Sequence, residues 1–202
     1  MKVGSTFGGV DLERLESADN VLLKTHDPIV GEIRNESFKL STIIGELDLK
    51  TDDLVGMASG PKNNLRFAFL DGQVLSGTAP GSKLEVALGD SGLLNIPLEK
   101  IGQWSYRITA RRPAEPKPLG PSLALITGDH LAIDTTAGYP KLTFRWACGT
   151  MDLDCKALLE VVSTSSGSGK FNAVFLNGTH VGGELISSVP EGLGFDIKLG
   201  GA

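Results

Sequence analysis

The side chains that could do chemistry are few. The chain has three histidines, His26, His130 and His180, two cysteines, Cys148 and Cys155, and a Gly-Ser-Gly-Lys stretch ending at Lys170. Catalysis needs a nucleophile beside a base, or several ligands converging on a metal. His130 and His180 each stand two residues after a turn-type glycine, and His26 precedes the turn of an earlier segment. They read as a recurring structural slot, and would form a metal pair only if two segments faced each other across a twofold axis. Cys148 and Cys155 flank Gly149 without CxxC spacing or a neighbouring histidine, which predicts two packed thiols. A disulfide would need a turn to fold them together. A phosphate-binding loop is excluded, because its first glycine would fall on Thr164 and Phe171 stands where serine or threonine must follow Lys170. No His-Glu-x-x-His, Gly-x-Ser-x-Gly or dinucleotide fingerprint occurs. The sequence therefore predicts no enzyme, no metal and no cofactor.

Aromatic residues carry the other signal. Trp104 and Tyr106 share one face of an expected strand, as do Phe144 and Trp146. Each pair either packs into a core or forms an exposed platform on which sugars or partner side chains stack. The chain has only 8 Phe, 2 Trp and 2 Tyr, so a core would claim most of them. These four residues are the candidate binding surface.

Composition narrows the class further. The 202 residues are 41% hydrophobic and 21% charged, as in an ordinary globular chain. A net charge of -5 with scattered basic pairs offers no positive track for phosphates, so nucleic acid is disfavoured. No apolar run reaches the roughly 20 residues that span a bilayer, so direct membrane insertion is not expected. The first residues lack the apolar core of a secretion signal, which makes the cytoplasm the default address, or the exterior if a leader precedes this sequence.

What would position these side chains is a recurrence. An apolar residue, Asp or Asn, and another apolar residue occur as Val10-Asp11-Leu12, Leu47-Asp48-Leu49, Leu94-Asn95-Ile96, Met151-Asp152-Leu153 and Phe195-Asp196-Ile197. Ahead of the first four stands Lys-apolar, at Lys2-Val3, Lys39-Leu40, Lys83-Leu84 and Lys141-Leu142, with a glycine in between. Alternation such as Leu65, Phe67 and Phe69 against Arg66, Ala68 and Leu70 predicts half-buried strands. Asp71-Gly72, Thr127-Gly128 and Asn177-Gly178 supply the positive φ of tight hairpins. The central Asp or Asn, between two inward-facing apolar residues, should point to solvent. Pro97 cannot donate to a ladder and belongs at an edge or strand end, and Glu99-Lys100 predicts one helical turn before a final strand.

Hairpin, bent middle strand, short closing turn and last strand, best seen in residues 65 to 108, resemble the small five-stranded barrels of the Sm, SH3-like and PRC-barrel type. The pattern is also similar to bacterial tandem β-repeat proteins of unknown function whose units end in a Gly-x-Leu-x-Ile-Pro-Leu-like motif. The resemblance implies an all-β fold of tandem small antiparallel barrel or sandwich repeats with little helix. The RNA-contacting residues of Sm proteins have no counterpart here.

Arg111 to Pro121 holds four prolines in eleven residues and reads as an extended linker. It divides the chain into residues 1–110, with repeats one and two behind an N-terminal half-repeat, and residues 122–202, with repeats three and four. Ser163 to Lys170 reads as a flexible joint. Incomplete units at both ends suggest strand edges that complete each other, within one chain or between chains. The function expected is a non-catalytic structural or interaction module that docks into an assembly or self-associates through sheet edges. A carbohydrate-type binding module is the alternative.

Overall fold

The structure is a computed structural model, and it describes residues 2–109, 111–115, 120–125, 127–134, 142–164 and 170–186. The fold is all-β and antiparallel. In chain order the strands are β1 (Lys2–Phe7), β2 (Val10–Leu15), β3 (Asp19–Leu23), β4 (Pro28–Ile33), β5 (Ser37–Thr42), β6 (Gly45–Lys50) and β7 (Leu54–Ser59). Then come β8 (Leu65–Phe69), β9 (Val74–Gly77), β10 (Lys83–Ala87), β11 (Leu93–Pro97) and β12 (Ile101–Ser105). The last are β13 (Ser122–Ala124), β14 (His130–Ala132), β15 (Leu142–Trp146), β16 (Gly149–Leu153), β17 (Leu158–Ser163), β18 (Lys170–Phe175) and β19 (His180–Ile186). Helix among the described residues is limited to single 3₁₀ turns, including the expected one at Leu98–Lys100 ahead of β12.

Four hairpins turn in the same way. The Phe69 N–H donates to the Gln73 carbonyl and the Gly72 N–H returns to the Phe69 carbonyl, a tight turn with Gly72 at φ 87°. Leu125 to Asp129 and Phe175 to Thr179 repeat both bonds, with Gly128 and Gly178 in the same role. Leu23 to Asp27 does so as well, with His26 in place of glycine at φ 71°. His26 therefore lies inside the turn and not ahead of it. Its side chain had disguised a backbone position that glycine occupies elsewhere.

The apolar-Asx-apolar motif also recurs in register. Asp11, Asp48, Asn95 and Asp152 stand opposite Thr6, Lys39, Glu85 and Thr143 in hairpins β1–β2, β5–β6, β10–β11 and β15–β16, and all four are exposed. Thr6 and Thr143 each donate a hydroxyl to the facing Asp, at 2.7 and 2.8 Å. Of the apolar residues ahead of these, Leu47 and Met151 are half-buried opposite Leu40 and Phe144, whereas Leu94, opposite Val86, is exposed, against the expectation of an inward-facing position. The lysine landmark does not keep register. Lys2, Lys39 and Lys83 stand opposite Leu15, Asp48 and Pro97, slipped by even steps that preserve the face but not the position. Lys141 and Phe195 to Ile197 lie outside the described residues.

The described residues form two compact bodies, the first ending at Ile133 and the second starting at Asp134. In the first, ten strands join in the order β11-β10-β4-β3-β12-β7-β8-β9-β14-β13. The strands of residues 21 to 59 and 65 to 105 thus interleave: β3–β4 is flanked by β12 and β10, while β8–β9 is flanked by β7 and, through a single bridge from Ser41 to Thr78, by β5. Neither segment closes on itself as a barrel among the described residues. The first body extends past the proline-rich stretch because β13–β14 attaches to β9 through His130 and Val74.

In the second body five strands join in the order β16-β15-β19-β18-β17. The succession β6, β5, β9, β8, β7 of the first body runs in the same order, with the single Ser41–Thr78 bridge joining β5 to the β8–β9 hairpin. Ser163 and Phe171 pair, which makes the expected joint a hairpin connection between β17 and β18.

One core holds Phe38, Phe67, Trp104 and the leucines of β5, β7 and β10. The β1–β2 hairpin covers the opposite side of the sheet, where Phe7, Val10 and Leu12 meet Val55, Ala68 and Val74. The second body has its own core of Leu142, Phe144, Leu153 and Ala173. Residues 187–202 lie outside the described residues, and with them the expected pairing of the two chain ends.

Candidate interaction surface

The predicted aromatic surface is mostly interior. Trp104 and Phe144 are fully buried and Tyr106 is 6% exposed, whereas Trp146, next to the β15–β16 turn, is 37% exposed. Trp104 packs against Phe38, Phe67 and Tyr106 at ring separations of 5.5, 6.3 and 5.3 Å, the spacing of core aromatic clusters. Three of the four rings are thus buried, and Trp146 is the exposed one. His130 pairs through its backbone with Val74, and His26 and His180 are exposed. No group of three or more His, Cys, Asp or Glu that could hold a metal occurs among the described residues. Cys148 and Cys155 are not joined in a disulfide; Cys148 is exposed on the β15–β16 turn rather than packed, and burial raises the Cys155 thiol above its ordinary pKa with help from Asp154.

Arg112 and the Tyr106 ring form one wall of the surface that remains, and a buried arginine, Arg14, holds them in place. Arg14, fully buried, donates to the carbonyls of Tyr106, Arg107, Arg112 and Pro113. A fork of N–H donors suits such a set of converging carbonyls. Desolvation, then the nearby Arg112 charge, lowers the Arg14 pKa to about 10, and Asp19 partly opposes this. The start of the proline-rich stretch is thereby pinned to β2. Arg112 in turn lies 4.0 Å above the Tyr106 ring and donates to the carbonyls of Leu54 and Thr51.

From this wall a groove of ≈ 680 Å³ runs past Glu36, Asp48 and Thr51, and its residues Asn35, Ser37 and Asp48 also line a second groove of ≈ 710 Å³. The second lies along β5, bounded by Thr78 and Pro80 to Lys83. Its floor is an open strand edge. Ser41 exchanges both backbone hydrogen bonds with Thr78, so by strand alternation Lys39 and Ser37 direct their N–H and C=O groups the same way. Neither group has a partner among the described residues.

The matching strands are closed at this point. In the second body Thr143, the counterpart of Lys39, pairs with Ile186. In the first body Glu85 accepts from the Arg34 N–H, and its own N–H goes to the Asn35 side chain, which also donates to the Lys83 carbonyl. Against Lys39 the corresponding positions are Pro80 and Gly81. Proline has no N–H and glycine no side chain, so neither the backbone bond nor the amide cap can form. Sequence reasoning missed this edge, although a Pro-Gly pair shortly after a strand was its visible trace.

A further edge lies at β11, the terminal strand of the ten-stranded sheet. Leu93 is 51% and Leu94 38% exposed there, and the strand carries no charge. Neither a protein-family model nor a curated protein nor a solved structure matches this chain.

Proposed function

We propose that the chain is a tandem array of small antiparallel units that exchange strands with their neighbours, and that it serves as a non-catalytic protein-interaction module docking through sheet edges. The observation that carries this reading is β11. Edge strands are ordinarily protected by charge, bulges or covering elements. Here Leu93-Leu94-Asn95-Ile96 presents two exposed leucines and an outer backbone edge that pairs with no strand among the described residues, blunted by Pro97 at its end. The four turns of one geometry and the matching strand orders support the array. Light scattering across a concentration series tests the docking, with Leu94→Lys as the blocked edge. Assembly, with itself or a partner protein, should weaken at least tenfold in that variant; equal assembly by both proteins removes β11 from the reading.

A further inference from the structure

We infer that the open edge of β5 is a strand-addition site for an extended protein segment with an acidic residue between two apolar ones. The inference rests on the reading of the chain as an interaction module and names the partner's chemistry at a site distinct from β11. Adding a strand to an exposed edge draws affinity from backbone bonds and specificity from alternate side chains. The backbone groups of Ser37 and Lys39 are available for it, and the groove beside them has room, at ≈ 710 Å³.

Charge sets the central residue. An incoming strand would lie about 4.8 Å from β5, with its outward residue directly opposite Lys39. Lys83 lines the far wall of the same groove, and neither ammonium forms an ion pair among the described residues. Glu46 and Asp48 also line this groove, but from β6, whose backbone would lie one strand farther from the added segment, at roughly 10 Å. An acidic side chain therefore meets two cations first. The inward neighbours of that residue would extend the row of Phe38 and Leu40, both buried, which calls for apolar side chains.

The same edge explains why the chain does not fill this position with its own next strand: at Pro80-Gly81 the backbone turns away, with Gly81 at φ 75° and the Ser82 N–H bonded to the Ala79 carbonyl.

The test uses the full chain and two capped nonapeptides of alternating threonine and valine, one with a central aspartate and one with a central lysine. Binding is followed by backbone amide NMR and by hydrogen exchange at Lys39. The aspartate peptide should bind at least tenfold tighter than the lysine peptide, shift the amides of β5 and residues 78–83, and slow exchange at Lys39. N-methylation of its central amide should abolish binding, and Lys39→Glu should reverse the peptide preference while leaving the melting temperature within a few degrees. No binding of either peptide at about 1 mM, or equal binding of both, overturns the inference. So does slow exchange at Lys39 before any peptide is added: unchanged on dilution, it assigns the edge to a segment of the same chain, and lost on dilution, to a second copy. These failures leave β11 assembly, measured by light scattering, to stand or fall separately.

Discussion

The Nε of Arg14 donates to the carbonyl oxygen of Tyr106 at 3.0 Å, joining residues 92 apart in sequence. Through this bond and its companions to residues 107, 112 and 113, a β2 side chain holds the segment that carries Arg112 over the Tyr106 ring. A cation buried without a carboxylate in direct contact persists because carbonyl oxygens replace its water.

Replacing Arg14 by Leu leaves those carbonyls without their donor, at a cost of about 3 kcal/mol in the unfolding free energy. Arg14→Lys recovers only part, because an ammonium cannot span the same carbonyls. Urea denaturation measures both, and a loss under about 1 kcal/mol for Arg14→Leu would show that the clamp contributes little.

Burial, opposed by the hydrogen bond from Thr51 and the charge of Arg112, raises the Tyr106 phenol to about 12. The unfolded phenol ionises near 10. Between those values the unfolded chain releases its proton first, so this group's contribution is complete below pH 10 and is lost as pH rises through about 12. Tyrosinate absorbance of a Tyr139→Phe variant should show ionisation of Tyr106 well above pH 10. An ordinary midpoint in the folded protein contradicts this.

His26 holds a left-handed conformation at φ 71° in a turn whose counterparts use glycine. A branched side chain suffers most there, so His26→Val should be about 1–2 kcal/mol less stable than His26→Gly. Thermal melts of the two variants compare them directly; equal stability means that the turn relaxes out of the left-handed region.

Gly77 and Gly183 occupy one position relative to their turns, and a Cβ on either would fall well inside contact distance of a carbonyl, that of Ser41 or Arg145 respectively. Gly183→Ala should push β19 from β15 and cost about 1–3 kcal/mol. Hydrogen exchange at Arg145 reports the separation, and unchanged protection there would mean that the strands absorb the methyl group without parting.

Much of the local structure was legible in the residues. Alternation marked Leu65 to Phe69 as a strand, and Asp71-Gly72, Thr127-Gly128 and Asn177-Gly178 marked tight hairpins, because each depends on neighbours a few residues away. The outward position of Asp48, Asn95 and Asp152 followed from the same parity. His26 escaped notice because its turn needs a backbone angle and not a residue type.

Partner choice belonged to the tertiary structure alone. The amide and carbonyl groups of β3–β4 are chemically the same whichever antiparallel edge they meet, and β5 and β10 offer similar alternation. Only packing in three dimensions assigned β4 to β10 and β3 to β12, buried Trp104, Tyr106 and Phe144, and left the Lys39 backbone beside Pro80 without a partner among the described residues. Short-range sterics act within a turn of chain and can be seen in sequence; strand pairing is a competition among distant equals, decided by which arrangement buries the most apolar surface while satisfying the most backbone groups.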